Sequence, residues 1–157
     1  MGLGVVVAAF AAVATRAAAG NDAVWSALNA LKESASLVPA HHWSQGSSFP
    51  DLAAIYFFLA WPVFPAALGA FVTRYWTQDS NEHIAPGFEL KAGFGGVVML
   101  VLGPGSLWAM DGVEMMGLPI GTRLANLLIF GWVHFALAGC LTGLGVIALR
   151  RVFALSR

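Results

Sequence analysis

Residues 97–110 read VVMLVLGPGSLWAM, an apolar run with Gly103-Pro104-Gly105 set into it. Taken alone, the flanking residues are a membrane helix. Proline removes one backbone donor and its ring collides with the preceding turn. In hydrocarbon each unpaired backbone group costs several kcal/mol, so a break of this kind must face protein or a wet cavity. The stretch therefore makes two statements: the chain lives in a bilayer, and one of its helices is kinked.

Composition supports the first statement. Of 157 residues, 59% are hydrophobic and only 10% charged, with a mean hydropathy of +0.76. Soluble domains hold about 25% charged residues, and a chain this short has too little interior to hide so much apolar surface. Eight basic and eight acidic residues cancel, so no global field or basic cluster draws nucleic acid. Cys140 is the single cysteine; it excludes an internal disulfide and a cysteine-built metal cage, and reads as a small core residue.

A span needs roughly 20 apolar residues. Four segments qualify: 2–19, 52–76, 93–110 and 124–149. The first resembles a signal peptide in its Ala17-Ala18-Ala19 end, but has no positive n-region; it is read as a retained spanning helix with Arg16 reaching the interface. Between the first two spans, Val24, Leu28, Leu31, Ala35 and Val38 recur at helical spacing, which predicts an amphipathic surface helix over 22–38. Asn21 or Asp22 would cap it and Pro39 would end it. The sequence AHHWSQGSSFP after it is a loop by its Ser, Gly and Pro content. The expected fold is a single all-α integral membrane domain, with about four transmembrane helices and one amphipathic surface helix.

Orientation follows from the cations. One side collects Arg74, Lys91, Arg150, Arg151 and Arg157; the other collects Arg16, Lys32 and Arg123. Five against three places both termini in the cytoplasm of a bacterial-type inner (plasma) membrane, with 20–51 and 111–123 outside.

The second span carries a break of its own, with Pro62 and Pro65 near its centre. Two interrupted spans meeting at mid-depth is a transporter pattern. Against it stands the common use of proline as a packing kink, with Ser106 close enough to Pro104 to repair the break. A third reading makes the 93–110 segment re-entrant. In the fourth span Gly131, Phe135, Gly139 and Gly143 form a stripe at four-residue spacing; Gly139 to Gly143 is a GxxxG, where small residues admit a second helix closely.

Three sets of residues carry candidate chemistry. His134 lies about 15 Å down the fourth span by helix rise, with Asn126 two turns before and Thr142 two turns after. An intramembrane histidine suits a haem ligand, a quinone contact or a proton relay, or a plain interhelical hydrogen bond. On the outer side His41 and His42 would meet Met110, Asp111, Glu114, Met115 and Met116. Imidazole and thioether suit copper and the carboxylates a harder ion, although the spacing matches no defined metal motif. The loop 77–91 offers Asp79, Glu82, His83 and Glu89, read as a hydrated loop. No nucleophile elbow, HExxH or phosphate-cradling glycine motif appears, so an enzyme is not the expectation and no cofactor is called for by a motif. The function expected is a non-catalytic membrane subunit that packs through glycine-rich faces against other subunits or itself. The alternatives are a small transporter or channel component, with Pro62, Pro65, Gly103, Pro104 and Gly105 along the path, and a redox subunit contacting haem or quinone.

Overall fold

The computed structural model describes residues 2–35, 38–76, 88–114 and 117–155, with the side chains of 88, 89, 154 and 155 excepted. Every regular element among them is helical: α1 (Gly2–Ala18), α2 (Asp22–Ser34), α3 (Ala40–Ser44), α4 (Pro50–Ala60), α5 (Val63–Trp76), α6 (Phe88–Trp108) and α7 (Leu124–Leu155). Three helical stretches are apolar and long enough to cross a membrane: Pro50–Trp76, Leu90–Trp108 and Leu124–Phe153. The protein is an all-α membrane protein. The fourth apolar helix, α1, has 17 residues, about 25 Å by helix rise, and is shorter than the other three.

The break expected in the second span is where α4 gives way to α5. Trp61 and Pro62 form a turn, and the Phe64 N–H reaches the Trp61 carbonyl at 3.0 Å. Pro62 has no N–H to offer the Phe58 carbonyl. Pro65 falls in the first turn of α5, where backbone donors lack intrahelical partners in any case. In α6 the helix runs through Pro104. Ser106 Oγ donates to the Gly103 carbonyl at 2.7 Å and not to the Leu100 carbonyl that Pro104 leaves without its donor, so the repair expected of Ser106 is not the bond it makes. Because α6 starts at Phe88, five residues before the expected boundary, Pro104 stands in its last third rather than at its centre.

The amphipathic helix is shorter than expected and turned. Asn21 caps it, its Oδ1 accepting from the N–H groups of Ala23 (3.0 Å) and Val24 (3.2 Å). It ends at Ser34, whose hydroxyl bonds back to the Leu31 carbonyl and competes with the ladder. Leu31, expected on the inner face, is 52% exposed, whereas Lys32 is buried. Val24 and Leu28 of the expected face are partly covered, and Trp25, Asn29 and Lys32 extend the covered face to their side in place of Leu31. The indole of Trp25 sets that face, and the lysine stem buries with it while the ammonium reaches Glu33 Oε1 at 3.2 Å.

α7 is the central helix, with two seams. On one, Gly131 admits the Tyr56 ring, Gly139 meets the Phe64 carbonyl and Ala67, and Gly143 meets Phe71. A Cβ on Gly139 would stand 2.5 Å from the Phe64 carbonyl oxygen. Phe135 is fully buried between them. The glycine stripe thus receives α4 and α5 of the same chain. On the other seam Ala138, Thr142 and Gly145 meet Gly96, Leu100 and Gly103 of α6; a Cβ on Gly145 would lie 2.7 Å from the Gly96 oxygen. α1 packs along α4, with Gly4 beside Val63 and Ala8, Ala11 and Thr15 buried. Its first turn therefore stands at the centre of the α4–α5 span.

Candidate functional site at the end of α6

A helix leaves its last four carbonyls without intrahelical donors. In α6 these belong to Gly105, Ser106, Leu107 and Trp108, and each finds a partner. The Gly105 carbonyl accepts from the Ala109 N–H at 3.1 Å. His134 Nε2 donates to the Ser106 carbonyl at 3.1 Å. Trp43 Nε1 donates to Leu107 at 2.7 Å, a carbonyl that also accepts from Met110 N–H at 3.3 Å. His42 Nε2 donates to Trp108 at 2.8 Å, its ring 5.7 Å from the Trp108 ring. Side chains from α3 and α7 therefore close one end of α6. Since a carbonyl only accepts, both imidazoles carry a proton on Nε2.

The sequence places these groups simply. Pro39 starts the short α3, and HHW puts three ring N–H groups in succession on it. Trp43 is 2% exposed and packs edge-on against Phe135 at 5.0 Å and Phe57 at 6.5 Å, within the pairing range of aromatic rings. The following loop is laced to the α6–α7 connection. Gly46 N–H donates to the Asp111 carbonyl, Ser48 N–H and Ser47 Oγ to the Gly121 carbonyl, and Gly121 N–H to Val113. Gly112 takes a φ of +75°, and a Cβ there would strike the Trp43 carbonyl, so only glycine fits.

The outer-side histidines and the WAMDG stretch are thus brought together, but not around a point. His41 turns to Glu33 Oε1 at 3.0 Å, away from His42. Met110 is buried. Asp111 Oδ1 accepts from the Val113 N–H in a local turn, and Glu114 is exposed. Met115 and Met116 lie outside the described residues, as do Asp79, Glu82 and His83; the side chain of Glu89 does too. No group of three or more His, Cys, Asp or Glu among the described residues is close enough to hold a metal ion. Glu33 receives both His41 and Lys32, and these hydrogen bonds, that of His41 foremost, hold its carboxyl below the ordinary carboxylate value of 4.5.

The strip of Asn126, His134 and Thr142 does not line a common cavity. Asn126 Nδ2 donates to the Pro119 carbonyl and Thr142 Oγ1 to Ala138 in its own helix at 2.8 Å, leaving His134 alone to cross to α6. The breaks point outward: Pro62, Pro65, Pro104 and Gly105 are exposed, while Gly103 is buried against α7. Trp43 as a buried cap donor was missed in the sequence, and the run HHW just before a Ser/Gly loop was the available signal. Compared with family models, curated proteins and solved structures, the chain matches none.

Proposed function

We propose that the protein is a non-catalytic subunit of a larger assembly in a bacterial-type inner membrane, with its C-terminus cytoplasmic; the expected cytoplasmic N-terminus does not agree with an α1 whose first turn lies beside Val63, at the middle of the α4–α5 span. One observation carries this reading: the interrupted backbone of the α4–α5 span lies away from the seams of α7, beside an open apolar groove between α1 and the Trp61–Pro62 turn. Pro62 and Pro65 are exposed at the middle of a membrane-crossing stretch, and no side chain among the described residues reaches the Phe58 carbonyl that Pro62 leaves without its donor. A backbone group in that position is costly against lipid and inexpensive against a second protein. The glycine stripe of α7, occupied by α4 and α5, is not the docking face in this reading. The partner instead covers the outer side of the Trp61–Pro62 turn and of α6 at Pro104. The cation count, five against three, favours the stated orientation.

The same outward breaks favour one second reading, a transport path formed between copies rather than within one. Extraction in a mild detergent, followed by native mass determination and identification of every co-purifying chain, separates them. A stoichiometric set of different chains is the expected result. A monomer overturns both readings, and a homo-oligomer overturns the first in favour of the second. A redox role for His134 is the least supported, because its Nε2 is spent on the Ser106 carbonyl; an absorption band above about 380 nm in the pure protein would reverse that order.

A further inference from the structure

The groove between α1 and the Trp61–Pro62 turn has a volume of about 570 Å³, within the range of small-molecule sites. Val6 and Phe10 stand on its α1 side, Phe58, Trp61 and Pro62 on the other, and Val38 also lines it. Each helical wall, Val6 to Phe10 and Phe58 to Pro62, covers little more than one turn, about 6 Å along the axis. That is a length for a small molecule and not for a packed helix. None of the described residues lining it is charged. The turn falls at the middle of the Pro50–Trp76 crossing, so the groove opens to hydrocarbon rather than to water.

Two polar groups belong to its wall. Pro62 leaves the Phe58 carbonyl without its donor, and a proline ring lies against the carbonyl four residues before it. Both residues line the groove, which puts this acceptor beside it. Trp61 supplies a donor. The indole N–H groups of Trp43 and Trp132 are spent on carbonyls. That of Trp61 has no acceptor among the described residues and is not sealed inside the protein. Phe64 stacks on the Trp61 ring at 5.6 Å and Trp43 lies 6.4 Å from it, which leaves the edge of the indole to line the groove. In hydrocarbon each unpaired polar group costs several kcal/mol. The occupant that answers both is neutral and lipid-soluble, takes one hydrogen bond and gives another, and is flat enough to lie on Phe10 and Phe58. A hydroquinone with an isoprenoid tail meets each condition. Its hydroxyl both accepts and donates, its ring is aromatic, and its tail dissolves in the bilayer. An acyl chain supplies neither hydrogen bond.

We propose that the groove between α1 and the Trp61–Pro62 turn binds a lipid-soluble hydroquinone, one hydroxyl accepting from Trp61 Nε1 and donating to the Phe58 carbonyl. This goes beyond the assembly reading and does not rest on it; a partner laid over the turn would seal the ligand in. The test uses the full chain in neutral detergent, titrated without oxygen with decylubiquinol or decylubiquinone and read by native mass spectrometry. Saturable binding of one decylubiquinol per chain is expected, tighter than that of decylubiquinone, which cannot donate to the carbonyl. Trp61→Phe keeps an aromatic ring, removes the N–H and should weaken both by about fivefold. Pro62→Ala returns an N–H to the Phe58 carbonyl. It should weaken the quinol by a similar factor and leave the quinone unchanged, a split that a loosened fold would not produce. Val6 is 64% exposed, so Val6→Trp can fill the groove without entering the core. It should abolish binding of both, and serves if Trp61→Phe fails to fold. No saturable binding, binding untouched by Val6→Trp, or a quinone bound as tightly as the quinol overturns the proposal. So does dioleoylglycerol bound as tightly as decylubiquinol, since the ring would then contribute nothing.

Discussion

At the level of single residues, the end of α6 depends on three ring N–H groups, and each can be removed without emptying the space it fills. Trp43→Phe keeps an aromatic ring against Phe135 but leaves the buried Leu107 carbonyl with only its longer bond to Met110. We expect a loss of about 1–3 kcal/mol, read as a lower denaturation midpoint in detergent. His134→Leu should cost a similar amount by orphaning the Ser106 carbonyl, and His134→Gln, which can still donate, should recover part of it. If His134 instead serves a bound cofactor, Gln would not restore the property lost. Glu33 gives a pH prediction. Its carboxyl is held below 4.5 by His41 and Lys32, so on acidification the unfolded chain takes up this proton first. The contribution is complete above the ordinary carboxylate range and disappears as pH falls through the lowered value. The gap in unfolding midpoint between wild type and Glu33→Gln should therefore be present near about pH 7 and close toward about pH 3; a gap that widens on acidification contradicts the assignment.

At the level of elements, packing predicts opposite outcomes for two glycines that look alike in the sequence, one on a seam of α7 and one on the open face of α6. Gly139→Ala places a Cβ against the Phe64 backbone and should destabilise the isolated chain by about 1–3 kcal/mol. Gly105→Ala meets nothing within 4 Å and should be neutral or stabilising by up to about 1 kcal/mol. Thermal unfolding of the two variants in one detergent decides it. If Gly139→Ala leaves the monomer unchanged, the stripe is not an internal seam. The stripe itself was legible because residues at four-residue spacing fall on one helix face. What it packs against was not, since a small residue states only that something comes close. The helix identities were legible for the same kind of reason, long apolar runs with few charges. The start of α6 was not, because Phe88, Glu89 and Lys91 read as loop on composition while the backbone already turns helically. On α2 Val24 and Leu28 were placed correctly, but Leu31 was expected inside and Lys32 outside, because Lys32 was weighed by its charge and not by its four-carbon stem. Of the candidate site, His42 and His134 were visible as unusual residues. Their common acceptor, the end of α6, was not, because a carbonyl leaves no mark in a sequence.

At the level of the whole molecule, the two ends differ in kind. One is closed by α3 and the 110–123 connection and holds Lys32, Glu33 and His41; the other holds Arg74, Lys91, Arg150 and Arg151. Cysteines introduced at the exposed positions Gln45 and Lys91, in a Cys140→Ser background, should react with a membrane-impermeant maleimide from opposite sides of sealed vesicles. Labelling of both from one side would contradict a crossing by Pro50–Trp76. With right-side-out vesicles the expected reactive position is Gln45.

The placement of α7 between α4–α5 and α6 also has a consequence for biosynthesis. Among the described residues α6 rests chiefly on α7, and α7 leaves the ribosome after the helices it packs against. Until it arrives, the α4–α5 span and α6 share almost no surface with each other, and Tyr56, Phe64 and Gly96 face lipid instead of their eventual neighbours. Threading through the translocon must then reach α7 before α6 can join α4 and α5, with α7 acting as the keystone. Nascent chains arrested before Leu124 should be inserted yet protease-sensitive, and resistance should appear in one step once α7 has cleared the exit channel.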